Sequence, residues 1–324
     1  TAEGSFTIVF IPLLSSVLER DGKRKAIEFA QEIMSFMAAI LLTFTITAIF
    51  FMPHIVGLIA PGFSDAPNKF NLAVDFAELT FIYLPLISLV ALLGGILNSL
   101  GKFAAMASAP ILLNLFLISS LGIFADILQT PGHGLAIGVA IGGLAQLIWL
   151  IEACRRAKAL PRLVWPRWTP RVSRLLKFML PALLGAGVVQ INLLIDVILA
   201  SILPTGSVSY LYYADRLNQL PLAVIGIAIG TALLPNMSRN IQAGRLQEAK
   251  ENQEKSLEIG LILTIPAAFG LMILSDHIVT ALFQRGAFDT IATASTALAL
   301  VCYSAGLPAF VIIKIFQPNF FARH

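Results

Sequence analysis

Charged residues along this 324-residue chain are separated by long apolar intervals. No Asp, Glu, Lys or Arg occurs between Glu32 and Asp65, Glu78 and Lys102, Lys102 and Asp126, or Asp126 and Glu152. The same holds between Lys177 and Asp196, Arg216 and Arg239, and Asp289 and Lys314. About 20 apolar residues in a helix cross the hydrocarbon core of a bilayer, about 30 Å thick. With two shorter runs, after Glu3 and after Glu258, the pattern predicts nine spans near 4–18, 31–57, 77–100, 104–125, 134–154, 175–203, 207–236, 256–275 and 290–316. Continuous apolar runs of this length exclude a transmembrane barrel, whose strands are about ten residues long and alternate in polarity. The fold class expected is an all-α integral membrane protein.

Composition agrees. Hydrophobic residues make up 57% and charged residues 12% of the chain, whereas a soluble domain carries about 25% charged residues. That excludes a soluble enzyme, a nucleic-acid-binding module and a disordered linker. The net charge of +4 and the pI near 9.2 reflect where the bases lie. Connections after odd-numbered spans hold 18 of the 22 Lys and Arg residues, and the opposite connections hold two, Lys69 and Arg285. By the positive-inside rule the odd side is cytoplasmic, so the Thr1 end is expected outside and the His324 end inside. The basic loops suit anionic phospholipid headgroups rather than nucleic acid. Cys154 and Cys302 fall within or at the end of apolar segments and offer neither a disulfide framework nor a clustered metal site. The chain starts without Met and reaches a span almost at once, and it is read as an internal piece of a longer protein.

Two halves of the sequence echo one another. Phe10-Ile11-Pro12-Leu13-Leu14-Ser15 aligns with Leu233-Leu234-Pro235-Asn236-Met237-Ser238, and each is followed by a basic loop carrying Gly22 or Gly244. In the same register His54-Ile55-Val56 answers His277-Ile278-Val279, and Gly62 to Asp65 answers Gly286 to Asp289 with a shift of a single position. An even number of intervening spans makes the repeats parallel, related by an axis along the membrane normal. Two lobes follow: 1–160, and 175–324, joined by an amphipathic cytoplasmic linker at 161–174. Residues 155–177 contain eight bases, no acid, three prolines, Trp165 and Trp168, a composition suited to the headgroup region. Two such lobes describe a transporter that works by alternating access.

Charges inside spans are costly and mark functional positions. Glu3, Asp196, the adjacent Asp215 and Arg216, and Lys314 qualify. Lys314 can snorkel to the headgroups. Arg216 offers a planar fork of donors suited to a phosphate, and Asp215 and Gln219 lie within reach to orient it. The other reading is that Asp215 and Arg216 neutralise one another and fix helix packing, with Tyr212 and Tyr213 as residues of the membrane-interface belt. A membrane enzyme acting on polyprenyl phosphates would need clustered acids or a Ser/His/Asp group, and no two of His54, His133, His277 and His324 have i,i+4 spacing.

Tyr212-Tyr213-Ala214-Asp215-Arg216-Leu217, continuing through Leu220-Pro221 and Gly226 to Pro235, resembles the MurJ (MviN) lipid II flippase family of the multidrug/oligosaccharidyl-lipid/polysaccharide exporter superfamily. Ala2-Glu3-Gly4-Ser5-Phe6, Ala60-Pro61-Gly62-Phe63 and Ala109 to Asn114 resemble further signatures of that family, in order and at suitable spacing. The resemblance implies a fourteen-helix fold of which this chain holds about the second to the tenth helix. It implies a monomer that moves lipid II, the undecaprenyl-pyrophosphate-linked peptidoglycan precursor, from the cytoplasmic to the periplasmic leaflet of the bacterial inner membrane. Arg216 then matches a cationic cavity position, Asp215 the acid beside it and Glu3 an acidic position of the second helix. Some relatives carry glutamate where this chain has Gln219. Asp196 matches a position that in some members resembles a sodium ligand, and no other cofactor is implied. The alternatives are a cation-coupled drug or polysaccharide-lipid exporter of the same superfamily, and a non-transporting scaffold of a cell-wall complex.

Overall fold

The computed structural model describes residues 2–124, 127–128 and 130–321; the side chains of residues 2–5, 8, 181–186, 188 and 189, and of several positions in 227–242 and after 317, lie outside the description. Among the described residues the regular structure is helical throughout. Two compact units are formed, residues 1–202 and 203–324.

In the first unit, α1 runs from Ala2 to Phe50 and α2 from Met52 to Ile59, followed by a single 3-10 turn at Pro61–Phe63. Then come α3 (Pro67–Phe81), α4 (Tyr83–Ser99), α5 (Ala104–Phe124), α6 (Pro131–Arg156) and α7 (Pro170–Ile202). The second unit holds α8 (Ser207–Pro221), a π-helical segment at Leu222–Ile227, α9 (Ala228–Gln242), α10 (Leu246–Ile273), α11 (Ser275–Phe283) and α12 (Thr290–Phe321). Six continuous described stretches are long and apolar enough to cross a membrane: Val9–Phe50, Pro67–Ser99, Ala104–Phe124, Pro131–Arg156, Leu246–Ile273 and Thr290–Gln317. The expected span 4–18 and most of the expected span 31–57 form the arms of α1 on either side of Gly22, where φ is +82° and ψ 170° and the helical path breaks, and the end of the second span falls in α2. That backbone region is open to glycine and strained for other residues. The expected span 207–236 is divided between α8, the π segment and α9.

The first core forms where the arms of α1 meet. Phe10 stacks on Phe6, with ring centroids 5.0 Å apart, and on Phe29 of the other arm at 6.2 Å. Leu92, Leu93, Ile96 and Leu97 of α4, Leu150 and Cys154 of α6, and Val172 and Leu175 of α7 complete it. Lipid is as apolar as leucine, so close packing of small residues, rather than escape from water, holds membrane helices together. The seam between α5 and α6 shows this. A side chain at Gly138 would strike the Ser120 hydroxyl, and one at Gly142 would come within 2.9 Å of Leu113. At Gly143 the obstacle is the Tyr83 ring of α4, at 2.5 Å. The buried Gln146 donates to the Ala109 carbonyl at 2.8 Å and accepts from the Tyr83 hydroxyl at 3.2 Å, so a polar amide inside the bundle keeps its partners. Large apolar side chains such as Ile111, Ile118 and Ile191 remain exposed, as lipid-facing surfaces require.

The second unit packs around α12. Leu300 and Ala297 meet Ala214 and Leu217 of α8 and Val279 of α11, while Val311 and Ile315 meet Leu233 and Met237 of α9. Gly230 lets α9 approach the backbone of Lys314, whose carbonyl would lie 2.8 Å from an added Cβ.

The internal repeat is carried by backbone geometry. Gly244, between α9 and α10, has φ +74° and corresponds to Gly22. Pro12 lies inside α1 and Pro235 inside α9. The short helices α2 and α11 each carry a histidine at the third position, His54 and His277, and a turn then leads into α3 at Pro67 or α12 at Thr290, again in the register of the repeat. Packing places α7 with the first unit, against α1 and the 3-10 turn, where the Gly62 N–H donates to the Ser201 hydroxyl at 3.3 Å. The division by packing thus falls after Ile202, whereas the repeat divides the chain near 161–174. Residues 170–174 form the first turns of α7, and the linker proper is irregular from Lys158 to Thr169.

Gly143→Val is expected to destabilise the protein by about 1–3 kcal/mol through overpacking against Tyr83. Gly122→Val, where no atom lies within 4 Å, serves as the control. Thermal unfolding in detergent checks this, and equal midpoints for the two variants would refute the packing role of Gly143.

Candidate functional site

Helix α8 is anchored along one face and open along the other. Ala214, Leu217 and Asn218 are buried. Tyr213 packs against Phe283 and Phe288, with ring centroids at 4.9 and 5.4 Å. Gly206, at φ +103°, starts the helix beneath the Tyr210 ring, whose hydroxyl would lie 2.5 Å from any Cβ placed there. With that side fixed, Tyr212, Asp215, Arg216 and Gln219 fall at i, i+3, i+4 and i+7 and form one stripe.

The stripe is internally connected. The Gln219 amide nitrogen donates to Asp215 Oδ2, and its carbonyl Oε1 accepts from Arg216 Nη1 at 3.4 Å. This amide orientation alone lets Gln219 serve both neighbours, since Asp accepts and Arg only donates. The guanidinium carbon of Arg216 lies 4.6 Å from the centre of the Tyr212 ring, a cation–π distance. Tyr212, a residue of the membrane-interface belt on the packing reading, therefore joins the stripe. Its signal in the sequence was its i−4 spacing from Arg216. No ion pair joins Asp215 to Arg216 among the described residues, as their adjacent positions on the helix anticipate. With its face on the tyrosine ring and one N–H engaged by Gln219, the guanidinium keeps N–H donors on its edge for an anion.

Just beyond the stripe the helix widens. Pro221 lacks the N–H that would serve a carbonyl one turn earlier, and the chain continues as the π-helical segment Leu222–Ile227. Such segments recur near functional sites.

The other expected positions lie on other helices. Asp196 is exposed on α7 in the first unit, away from α8 along the chain. Glu3 lies in the first turn of α1, and its side chain is outside the described residues. Lys314 on α12 donates to Gln317 Oε1 at 3.5 Å. Among the described residues no three His, Cys, Asp or Glu side chains are grouped to hold a metal ion. Asp196 therefore belongs to no such group among the described residues.

Over residues 1–324 the chain matches the family described as Lipid II flippase MurJ. The chain belongs to the MurJ family. A probable lipid II flippase MurJ of Rhizobium meliloti (strain 1021) is 44% identical over 326 residues, which cover 99% of this chain and 61% of that protein. The Rickettsia prowazekii (strain Madrid E) relative is 36% identical, covering 99% and 63% respectively. The chain thus spans about three fifths of the length of these MurJ relatives. A solved structure described as lipid II flippase MurJ, inward closed conformation, superposes with a TM-score of 0.83 at 26% identity over 99% of this chain and 65% of that one. An inward-facing multidrug-resistance transporter of the MATE family superposes with a TM-score of 0.77 at 16% identity, over 99% and 74%, a likeness of fold alone. MurJ proteins are multi-pass membrane transporters of bacteria rather than enzymes.

Gln219→Leu removes both bonds of the exposed stripe and is expected to change unfolding stability by less than about 1 kcal/mol. Denaturation of the purified protein in detergent tests this. A larger loss would make the stripe a packing device instead of a binding surface.

Proposed function

We propose that the protein of which this chain is a part moves lipid II from the cytoplasmic to the periplasmic leaflet of the bacterial inner membrane, and that Arg216 binds the pyrophosphate of the cargo. Membership of the MurJ family supports the activity. The observation that carries the site is the guanidinium of Arg216, stacked on Tyr212 and bound by Gln219, without an ion-pair partner among the described residues. An arginine so held is pre-oriented, and its charge is not cancelled by Asp215.

Carrying a pyrophosphate through a low-dielectric slab requires that its charge be compensated throughout. In this reading Arg216 supplies the bidentate contact, while Asp215 holds Gln219 in place and Gln219 holds the guanidinium. The polyprenyl tail stays in lipid. Glu3 is assigned an acidic position on the family's second helix, and Asp196 a place as a sodium ligand whose companions come from elsewhere in the full-length protein. The repeat-related lobes, 1–160 and 175–324, rock about the linker to open the cavity to either side. The distribution of bases supports a cytoplasmic position for the linker and an external one for the Thr1 end.

Arg216→Ala and Arg216→Lys in the full-length protein are the test, by complementation of a strain depleted of its lipid II flippase. Charge-assisted bonds contribute about 1.5–3 kcal/mol each, so both variants are expected to be expressed yet to lose at least about tenfold in transport. Full rescue by both would assign Arg216 a structural role. Failure of the wild-type protein to rescue would refute the flippase reading itself.

A further inference from the structure

The linker after α6 lies along α1 and builds a cavity that the transport reading does not use. Four contacts fix it there. Lys23 donates to the Ala157 carbonyl at 2.8 Å, and the Val164 N–H donates to the Ser35 hydroxyl at 2.9 Å. The Glu32 carboxylate accepts from the Thr169 hydroxyl and from Arg171 Nη1, both at 2.8 Å. In addition, Trp168 meets Phe36 edge to face at 5.5 Å.

Two adjoining hollows result, and Arg167 lines both. The first, of about 480 Å³, is the more polar of the two and includes Glu28, Gln31 and Trp165. The second, of about 510 Å³, is an apolar groove that follows α1 from Phe36 through Ile40 and Phe44 to Thr47 under Pro166 and Trp168. Thr43 and Thr47 turn their hydroxyls back to the carbonyls of Ala39 and Thr43, at 2.9 and 2.8 Å, which leaves their methyl groups for the groove. At about 1.5 Å per residue the groove extends roughly 16 Å, the depth of one leaflet of a core about 30 Å thick.

The charges at the polar end specify the headgroup. Arg167 is exposed and, among the described residues, forms no ion pair, so it is free to take a phosphate. Glu32 is already occupied by Thr169 and Arg171. Among the described residues Glu28 is engaged by Arg24 alone, at 3.6 Å and with both side chains largely in solvent, a pairing of little energetic weight. A purely anionic headgroup would satisfy Arg167 but be repelled by Glu28. A choline headgroup carries no N–H to donate to a carboxylate. We infer that this site holds a zwitterionic phospholipid with a primary ammonium, its phosphate on Arg167, its ammonium on Glu28 and one acyl chain along Phe36–Thr47. Such a lipid ties the linker to α1 at the membrane interface, where Trp165 and Trp168 are suited to lie.

The test is titration of the delipidated full-length protein in detergent with dioleoyl-phosphatidylethanolamine, dioleoyl-phosphatidylcholine or dioleoyl-phosphatidylglycerol, read by native mass spectrometry. Phosphatidylethanolamine is expected to fill one saturable site about fivefold more tightly than phosphatidylcholine, the scale of one exposed ion pair. Glu28→Gln should bring these two lipids to equal affinity, Arg167→Ala should weaken both about fivefold, and Ala39→Trp, which fills the groove, should abolish saturable binding. Equal or tighter binding of phosphatidylglycerol, unchanged by Glu28→Gln, would overturn the proposal in favour of non-selective attraction to the basic linker. Absence of saturable binding of any of the three would overturn it in favour of coverage by another part of the polypeptide. Flippase activity enters none of these readouts, so the site and the transport reading fail separately.

Discussion

A hydrocarbon layer offers the backbone no hydrogen-bond partners, and the architecture of this protein follows from that deficit. Each N–H and C=O within the layer must be satisfied inside its own segment, so the spanning elements are helices. Charges are driven to the ends, where α6 finishes at Arg155 and Arg156 and the linker gathers its bases. Departures from helical geometry occur where a specific residue absorbs them: Gly22 and Gly244 at positive φ, and a π-helical segment after Pro221. Because apolar helices gain little by leaving lipid for one another, the bundle depends on glycine surfaces such as that of α6 and on satisfied amides such as Gln146.

The same deficit gives Arg216 its significance. An exposed guanidinium on a helix in water would be unremarked, but one in an apolar run must be held and matched. Here an aromatic face and a side-chain amide hold it without cancelling its charge. Asp215 serves through Gln219. Placing acid and base side by side in sequence directs them about 100° apart on the helix, and that separation allows an intermediary between two charges that would otherwise neutralise one another. Glu32 shows the opposite arrangement, a carboxylate fully engaged by Thr169 and Arg171 and fastening the linker to α1.

Much of this was legible in the charge spacing. The nine apolar runs fall in helical segments because a run of about 20 uncharged residues has one low-energy form in a bilayer. The repeat was legible because its markers, Pro12 with Pro235 and Gly22 with Gly244, are residues whose backbone effects are local. The stripe of Asp215, Arg216 and Gln219 was legible because helical spacing alone brings those positions together. Tyr212 is legible by the same helical spacing, four residues before Arg216, although a tyrosine there also suits a headgroup layer. Gln146 gives no such local signal, because its partners Ala109 and Tyr83 lie far from it along the chain, on α5 and α4.

Sequence by itself determined the class, the helical segments, the repeat and the composition of the α8 stripe, because these rest on hydropathy and on contacts within a few residues. Tertiary structure decided which helices pack into which unit, that α7 joins the first, and that the linker is an irregular strap fastened to α1 through Glu32 and Ser35. Those outcomes depend on contacts between residues more than a hundred positions apart, such as Glu32 with Arg171. Such contacts leave no periodic trace in the chain, because each partner satisfies its local pattern equally well without the other.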